Sequence, residues 1–360
     1  MLVGSFFYLM LSVLQRLKEF DIFKRIMILG RNVLHYKYIE LMLGGIYMAS
    51  LQFEKKAKVI SFINMKGGVA KTTLTINAAE ELVKKGFRVI VIDMDPQFNA
   101  TQSLLLHRTR IKSSGTVEEP QDPGKESQDE VEEDEIVKEI NSADEYNKLS
   151  LKKMTILQIF ESTNVAVPHE NPSLAQQIIP NLDLIPGDLT LAKEVSGDTA
   201  NKVSAVFDHL TGSGILDNYD FVLIDCPPTW SILTHSSLFA SDYYIIPSKV
   251  DFYSSIGIQL LEEQIKSNIT HNSIYKMTKR TLTRLGVIFT LVHRNIRAEE
   301  TRMGYLKEKF PDIEFFNTIL PHMPSIPTKF VMYSDAKVES KYDQLGNSIE
   351  KIITEILEKI

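Results

Sequence analysis

Along most of the chain, apolar residues fall into two alternating patterns. Short β-branched runs occur at 58–63, 88–93, 182–186, 220–225, 243–247 and 286–292, and amphipathic stretches with helical spacing separate them. Continuous apolar runs of this length read as strands buried on both faces, and helices between them supply the cover. The expected fold is α/β, with a mostly parallel twisted sheet and helices on both faces. The chain closes on a segment in which Ile349, Ile352, Ile353, Ile356, Leu357 and Ile360 recur at three- and four-residue intervals. That spacing predicts a helix with one apolar face. Its polar residues, Glu350, Lys351, Glu355, Glu358 and Lys359, are not the basic set that anionic lipids attract, so packing against the domain is expected.

Two stretches break the alternation. Residues 1–47 open with an apolar run from Leu2 to Leu14, short for a bilayer span and without the basic start of a signal peptide. Gly44-Gly45-Ile46-Tyr47-Met48 is what a purine-rich ribosome-binding sequence before a start codon would encode. The expected organisation is therefore an N-terminal extension over 1–47, outside a true start at Met48, and one α/β domain over 48–360. The second break, about 110–148, is rich in Glu, Asp, Ser and Pro and is expected to be a disordered or loosely helical insertion.

Charge sharpens that division. The formal net charge is −6, but Thr116–Glu145 holds thirteen acids against two lysines, a local −11, which leaves +5 on the remainder. The clearest cationic stretch, 264–298, carries Lys266, Lys276, Lys279, Arg280, Arg284, Arg294 and Arg297 without one acid. Its pattern suits sequence-independent binding to DNA phosphates, with Lys276, Lys279, Arg280 and Arg284 as the candidate contacts. The one cysteine, Cys226, rules out a disulfide framework and an iron–sulfur cluster held within the chain, and points to a reducing, cytoplasmic compartment. No helix-turn-helix pattern precedes the core.

The chemistry concentrates after the first strand, where Lys66-Gly67-Gly68-Val69-Ala70-Lys71-Thr72-Thr73 stands between Val59–Ile63 and a predicted helix. The ordinary Walker A pattern fails, with Met65 and Ala70 where its glycines would fall. The context is nevertheless that of a phosphate loop, which makes the expected α/β fold one of the P-loop NTPase type. Gly67 and Gly68 can adopt backbone angles closed to other residues, which turns successive N–H groups inward at the positive end of the helix. Lys71 would neutralise β- and γ-phosphate charge, Thr72 would offer a hydroxyl to Mg2+, and Thr73 would donate to the α-phosphate of ATP. Lys66 adds a second cation that calls for more negative charge, as two nucleotides facing each other in a dimer would provide. Asp93 and Asp95 follow one apolar strand and Asp225 another, the positions where ligands collect in open α/β sheets. Asp225 suits the Walker B role.

At these residues the chain resembles the ParA family of DNA-partitioning ATPases, within the deviant Walker A group that also holds the MinD proteins. The likeness extends over about 57–360. Beyond the loop it includes Asp93-Met94-Asp95-Pro96-Gln97 with Asn99-Ala100-Thr101, Leu184-Ile185-Pro186-Gly187, Tyr219 to Pro228, and Ala240-Ser241-Asp242 leading to Ile246-Pro247. The resemblance implies an ATP-bound homodimer in which Lys66 reaches the partner's nucleotide. It also implies that Asp95 positions the attacking water, that Asp93 and Asp225 support Mg2+ and the switch regions, and that turnover is slow. The implied partners are nonspecific DNA and a centromere-bound ParB-like protein that stimulates hydrolysis, in a cytoplasmic, nucleoid-associated setting. A MinD-like membrane-associated positioning ATPase is the alternative. Two positions depart from the family pattern: Ala70 stands where glycine is more frequent, tolerable if its backbone angle is ordinary, and Phe98 replaces a small residue.

Overall fold

The sheet forms because its strands are too apolar to face water on either side. In a computed structural model that describes residues 57–114, 128–161, 173–194, 202–293, 295–322, 332–334 and 343–360, the strands β2 (Val89–Asp93) and β5 (Phe221–Asp225) are buried at every position. The chain runs β1 (Lys58–Phe62), α1 (Lys71–Lys84), β2, α2 (Asn99–Ser114), α3 (Gln128–Leu151), β3 (Gln176–Ile179), β4 (Leu182–Ile185), α4 (Ala205–Gly212), β5, α5 (Ile232–Ala240), β6 (Tyr243–Lys249), α6 (Ser254–Ile265), β7 (Thr283–Val292), α7 (Arg297–Lys309), β8 (Leu320–Pro321) and α8 (Asp343–Lys359). Shorter helical turns lie between some of these. The readings made for residues 1–47 lie outside the described residues.

The eight strands are ordered β3-β4-β2-β5-β1-β6-β7-β8. All pair in parallel except β3, which runs antiparallel to β4 at one edge. Alternate side chains of each strand enter two separate cores. On one face Val59, Ile90, Ile92, Val222 and Ile224 pack under α4, α5 and α6. On the other, Ile60, Phe62, Val89, Val91 and Leu223 pack under α1, α2 and α8. The expected α/β sheet with helices on both faces is thus what the chain forms, and β3 and the two-residue β8 are additions at its edges.

Terminal helix α8 behaves as its periodicity predicts. Ile349, Ile352, Ile353 and Ile356 are buried in the second core, so its apolar face is spent inside the domain. Among the described residues, no helix is long and apolar enough to cross a membrane.

Of the acidic segment expected to be disordered or loosely helical, residues 110–114 complete α2 and 128–151 form one 24-residue helix, while 115–127 lie outside the described residues. Ion pairs hold it to α2: Arg108 to Glu145 at 2.6 Å and Arg110 to Glu135 at 2.7 Å. Tyr146 and Leu149 also turn inward onto the core.

Candidate nucleotide site

Register brings the acids together before any side chain is considered. Asp93 of β2 pairs with Asp225 of β5, and Phe62 of β1 pairs with Asp225 on the other side, so both carboxylates and the start of the loop share the carboxyl edge of the sheet. The strand order changes direction around β1 and β5, the place where open α/β sheets leave a crevice.

The loop after β1 is tied down at several points. Asn64 donates through Nδ2 to the Pro247 carbonyl at 2.7 Å and accepts from the Lys66 amide at 2.9 Å. Further along, the Thr290 hydroxyl donates to the Val69 carbonyl at 3.0 Å. Gly68 has φ 66° and Ala70 has φ 64°, whereas Gly67 needs no left-handed angle. The condition under which alanine would be an easy replacement for glycine is not met at Ala70: it holds a left-handed conformation that favours glycine, at a cost of about 1–2 kcal/mol. The strain turns the chain into α1, whose first turn has no side-chain cap and no acid. Its free N–H groups and positive dipole end are left for an anion, with Thr72 and Thr73 half-buried in the first turn.

Lys71 is buried and reaches back to the Lys66 carbonyl at 3.3 Å. Burial lowers its pKa from the ordinary lysine value, while Asp225 and Asp95 draw it back up. The Thr72 hydroxyl donates to Asp225 Oδ2 at 2.6 Å. Asp225 Oδ1 is buried without a hydrogen-bond partner. Burial lifts the Asp225 carboxyl well above the usual range, and neighbouring Asp93 adds to the effect. Burial likewise raises Asp93 to about 7, against bonds from Thr101, and raises Asp95, against Gln97 and Lys71. An orphaned carboxylate oxygen beside a hydroxyl, in a cluster short of positive charge, fits a hard divalent cation.

Two residues complete the acidic loop that sequence reasoning had credited with no specific task. Thr101 donates both its amide and its hydroxyl to Asp93 Oδ2, each at 2.8 Å, and its hydroxyl accepts from the Gly187 amide at 2.7 Å. A Cβ on Gly187 would stand 2.8 Å from Phe98 Cβ and 3.1 Å from Asp93 Cγ, so only glycine fits there. Asp95 accepts the Gln97 amide at 3.0 Å, and Phe98, at φ 44°, closes the turn with its amide on the Asp95 carbonyl.

Lys66 holds a surprise: its ammonium pairs with Asp251, just past β6 in its own chain. Burial pushes Asp251 up, but bonds from Lys66 and Ser254 outweigh it and hold the carboxyl below its usual range. Cys226, next to Asp225, is sealed in the core, and burial pushes its thiol up to about 12.

Comparison with known proteins agrees with this geometry. Residues 57–278 match the AAA domain family. The sporulation initiation inhibitor protein Soj of Bacillus subtilis is 26% identical over 264 residues, 73% of this chain and 84% of that protein. The chromosome partitioning protein ParA of Myxococcus xanthus is 27% identical over 298 residues, 82% and 88% of the two chains. The chain belongs to the ParA family. Its fold superposes on a Borrelia burgdorferi plasmid partition protein bound to AMPPNP with a TM-score of 0.57 at 21% identity, over 85% of this chain and 100% of that one.

The candidate DNA surface of this ParA-family chain divides in two. Lys276 and Lys279 are exposed. Arg280 is not available: its guanidinium donates to the carbonyls of Phe239 at 2.6 Å, Ala240 at 2.8 Å and Ser241 at 3.3 Å, and lies 4.3 Å over the Phe207 ring. Arg284 is likewise committed, to Glu262 and the Asp312 carbonyl, each at 2.5 Å. Both arginines brace the sheet's far end, which corrects their assignment as DNA contacts. Arg294 lies outside the described residues.

Proposed function

We propose that the chain is a Mg-ATP-dependent partitioning ATPase whose ATP-bound homodimer binds DNA nonspecifically and moves a plasmid or chromosome with a ParB-like centromere-binding protein. The observation that carries the nucleotide part is the Thr72–Asp225 contact, which joins the loop's hydroxyl to a buried strand-end acid with one oxygen left over. Thr72 and Asp225 would hold Mg2+, with Asp93 fixed behind them by Thr101, and the ion would supply charge neutralisation to the phosphates.

The remaining work falls to this chain's own groups. Amides of residues 67–73 cradle phosphates at the α1 terminus, Lys71 neutralises charge from inside the loop, and Asp95 orients the attacking water. Lys66 is exposed enough to exchange Asp251 for a partner subunit's nucleotide. Such a site is incomplete in one subunit, so intrinsic turnover is slow and association sets its rate. The reading is supported by relatives that carry chromosome-partitioning names.

The test is ATP turnover and sedimentation of the full chain with Mg2+. Lys71→Ala should lose ATP binding, whereas Lys66→Ala should bind ATP yet stay monomeric and turn over little. DNA should co-sediment with the ATP-bound protein and liposomes should not. Normal turnover by Lys66→Ala would overturn the mechanism, and ATP-dependent liposome binding would move the chain to a MinD-like role.

A further inference from the structure

Along the carboxyl edge of the sheet, the phosphate loop divides two kinds of charge. On the side of β5 and β2 stand Asp225 and Asp93. On the other side β6 ends at Lys249, while β7 and β8 end at Val292 and Pro321, each followed by a histidine, His293 and His322. The acids suit a metal ion, and the basic side suits an anion.

Lys249 is the residue of that side that reaches the loop. Its strand is locked beside the loop, because Asn64 donates to the Pro247 carbonyl at 2.7 Å and Thr290, which pairs in register with Lys249, donates to the Val69 carbonyl at 3.0 Å. The Lys249 ammonium consequently stands 3.8 Å from where a Cβ on Gly68 would lie. No side chain of the loop comes between them, since Gly68 has none.

An anion is missing from these surroundings. Lys66 pairs with Asp251, and Lys71 feels Asp225 and Asp95. Lys249 is half-buried, yet its ammonium has no hydrogen-bond or ion-pair partner among the described residues. Beyond it His322 stacks on His293 with ring centroids 4.3 Å apart, and Glu299 is taken by His293 at 2.8 Å. Burial lowers the His322 pKa, and the charges of His293 and Lys249 push it further down against the pull of Glu299. A partly desolvated cation in a basic neighbourhood is costly until an opposite charge arrives.

We propose that Lys249 is a third phosphate-contacting lysine of this site, one that meets the nucleotide's phosphate chain from the β6 side of the loop, across from Asp225. The proposal rests on the Mg-ATP reading and adds to it a residue that acts within one subunit. Lys66 has to leave an acid before it can serve a nucleotide, whereas Lys249 has none to leave. Its charge therefore bears on nucleotide affinity before any second chain is present.

The probe is AMPPNP with Mg2+, titrated calorimetrically into the full chain at several protein concentrations. Lys249→Gln should weaken binding about tenfold, as expected for the loss of one charge-assisted contact, and added salt should narrow the difference. Lys249→Arg keeps the charge and should stay within about threefold of the unsubstituted chain. Lys58→Gln removes an exposed lysine at the far end of β1 and should change binding by less than about twofold. Thermal melts without nucleotide should coincide for all four proteins. Unchanged affinity in Lys249→Gln would overturn the proposal. Equal losses in Lys58→Gln would reduce the effect to net charge, and equal losses in Lys249→Arg would reduce it to packing against Gly68; either overturns it. A loss confined to protein concentrations at which the dimer forms would make Lys249 a subunit contact and overturn it as well. If the unsubstituted chain binds no AMPPNP, the nucleotide reading itself falls and Lys249 with it; if it binds and Lys249→Gln matches it, only the role of Lys249 is lost.

Discussion

Lys66 and Asp251, 185 residues apart in sequence, form an ion pair at the mouth of the phosphate loop within a single chain. The lysine expected to need a second subunit already has a partner at home. Both groups are substantially exposed, at 42% and 35%, so the pair contributes only about 0–1 kcal/mol to stability. Its weight is in availability: Lys66 must leave Asp251 before it can serve another nucleotide.

Asp251→Asn should therefore leave thermal stability nearly unchanged and lower the protein concentration at which AMPPNP drives dimerisation. Analytical ultracentrifugation reads this directly. If the variant instead dimerises as poorly as Lys66→Ala, the pair is part of the assembled site and not a resting state.

Ala70→Gly should stabilise the nucleotide-free protein by about 1 kcal/mol, because glycine takes the left-handed angle without the Cβ penalty. Urea denaturation with an unchanged slope would register it as a shift in midpoint. A lower midpoint would show that the alanine angle is not strained.

Acid should destabilise the fold through two histidines. Burial lowers the pKa of His209, which contacts the Ser173 carbonyl at 3.1 Å, and of His235, whose Nε2 is buried without a partner. The unfolded chain takes up their protons near pH 6.5 while the folded chain resists until lower pH. Their contribution is therefore complete above about pH 6.5 and is lost as pH falls through the folded values. His235 stands 4.9 Å from Trp230, so fluorescence of this single tryptophan should follow the same transition. His235→Gln should flatten the stability profile below about pH 6.5; an unchanged slope would remove His235 from the account.

Replacing both Lys276 and Lys279 with Glu should weaken ATP-dependent DNA binding and leave folding intact, with the effect fading as salt rises. Arg280→Ala should instead cost about 3 kcal/mol of stability, since three carbonyls lose a charged donor. DNA affinity unchanged in the double lysine variant would assign the phosphate contacts elsewhere.

Sequence carried the central sheet and the acids because both depend on local pattern. A strand buried on two faces must be apolar throughout, and an acid at its end marks the carboxyl edge. The edges were harder to read: Gln176–Ile179 alternates too briefly to signal a strand, and Leu320–Pro321 spans only two residues. Helix α3 was hidden by its composition, since acids on its outer face outnumber Tyr146 and Leu149 turned inward. The Ala70 angle, Asp251 beside Lys66 and the internal use of Arg280 all arise from tertiary contacts. Composition alone made two lysines and two arginines look equivalent, yet backbone carbonyls and an acid had claimed the arginines.

The sealed thiol of Cys226 gives this chain a simple relationship with oxidants. It is the sole sulfhydryl in the sequence, it touches no solvent, and its proton is held far above neutral pH. Peroxide and disulfide exchange act on exposed thiolates, so neither finds a foothold beside Asp225. Any cysteine introduced at the surface, on α3 or near Asp251, becomes the one reactive thiol in the molecule and can carry a fluorophore or a crosslink without the native residue being removed.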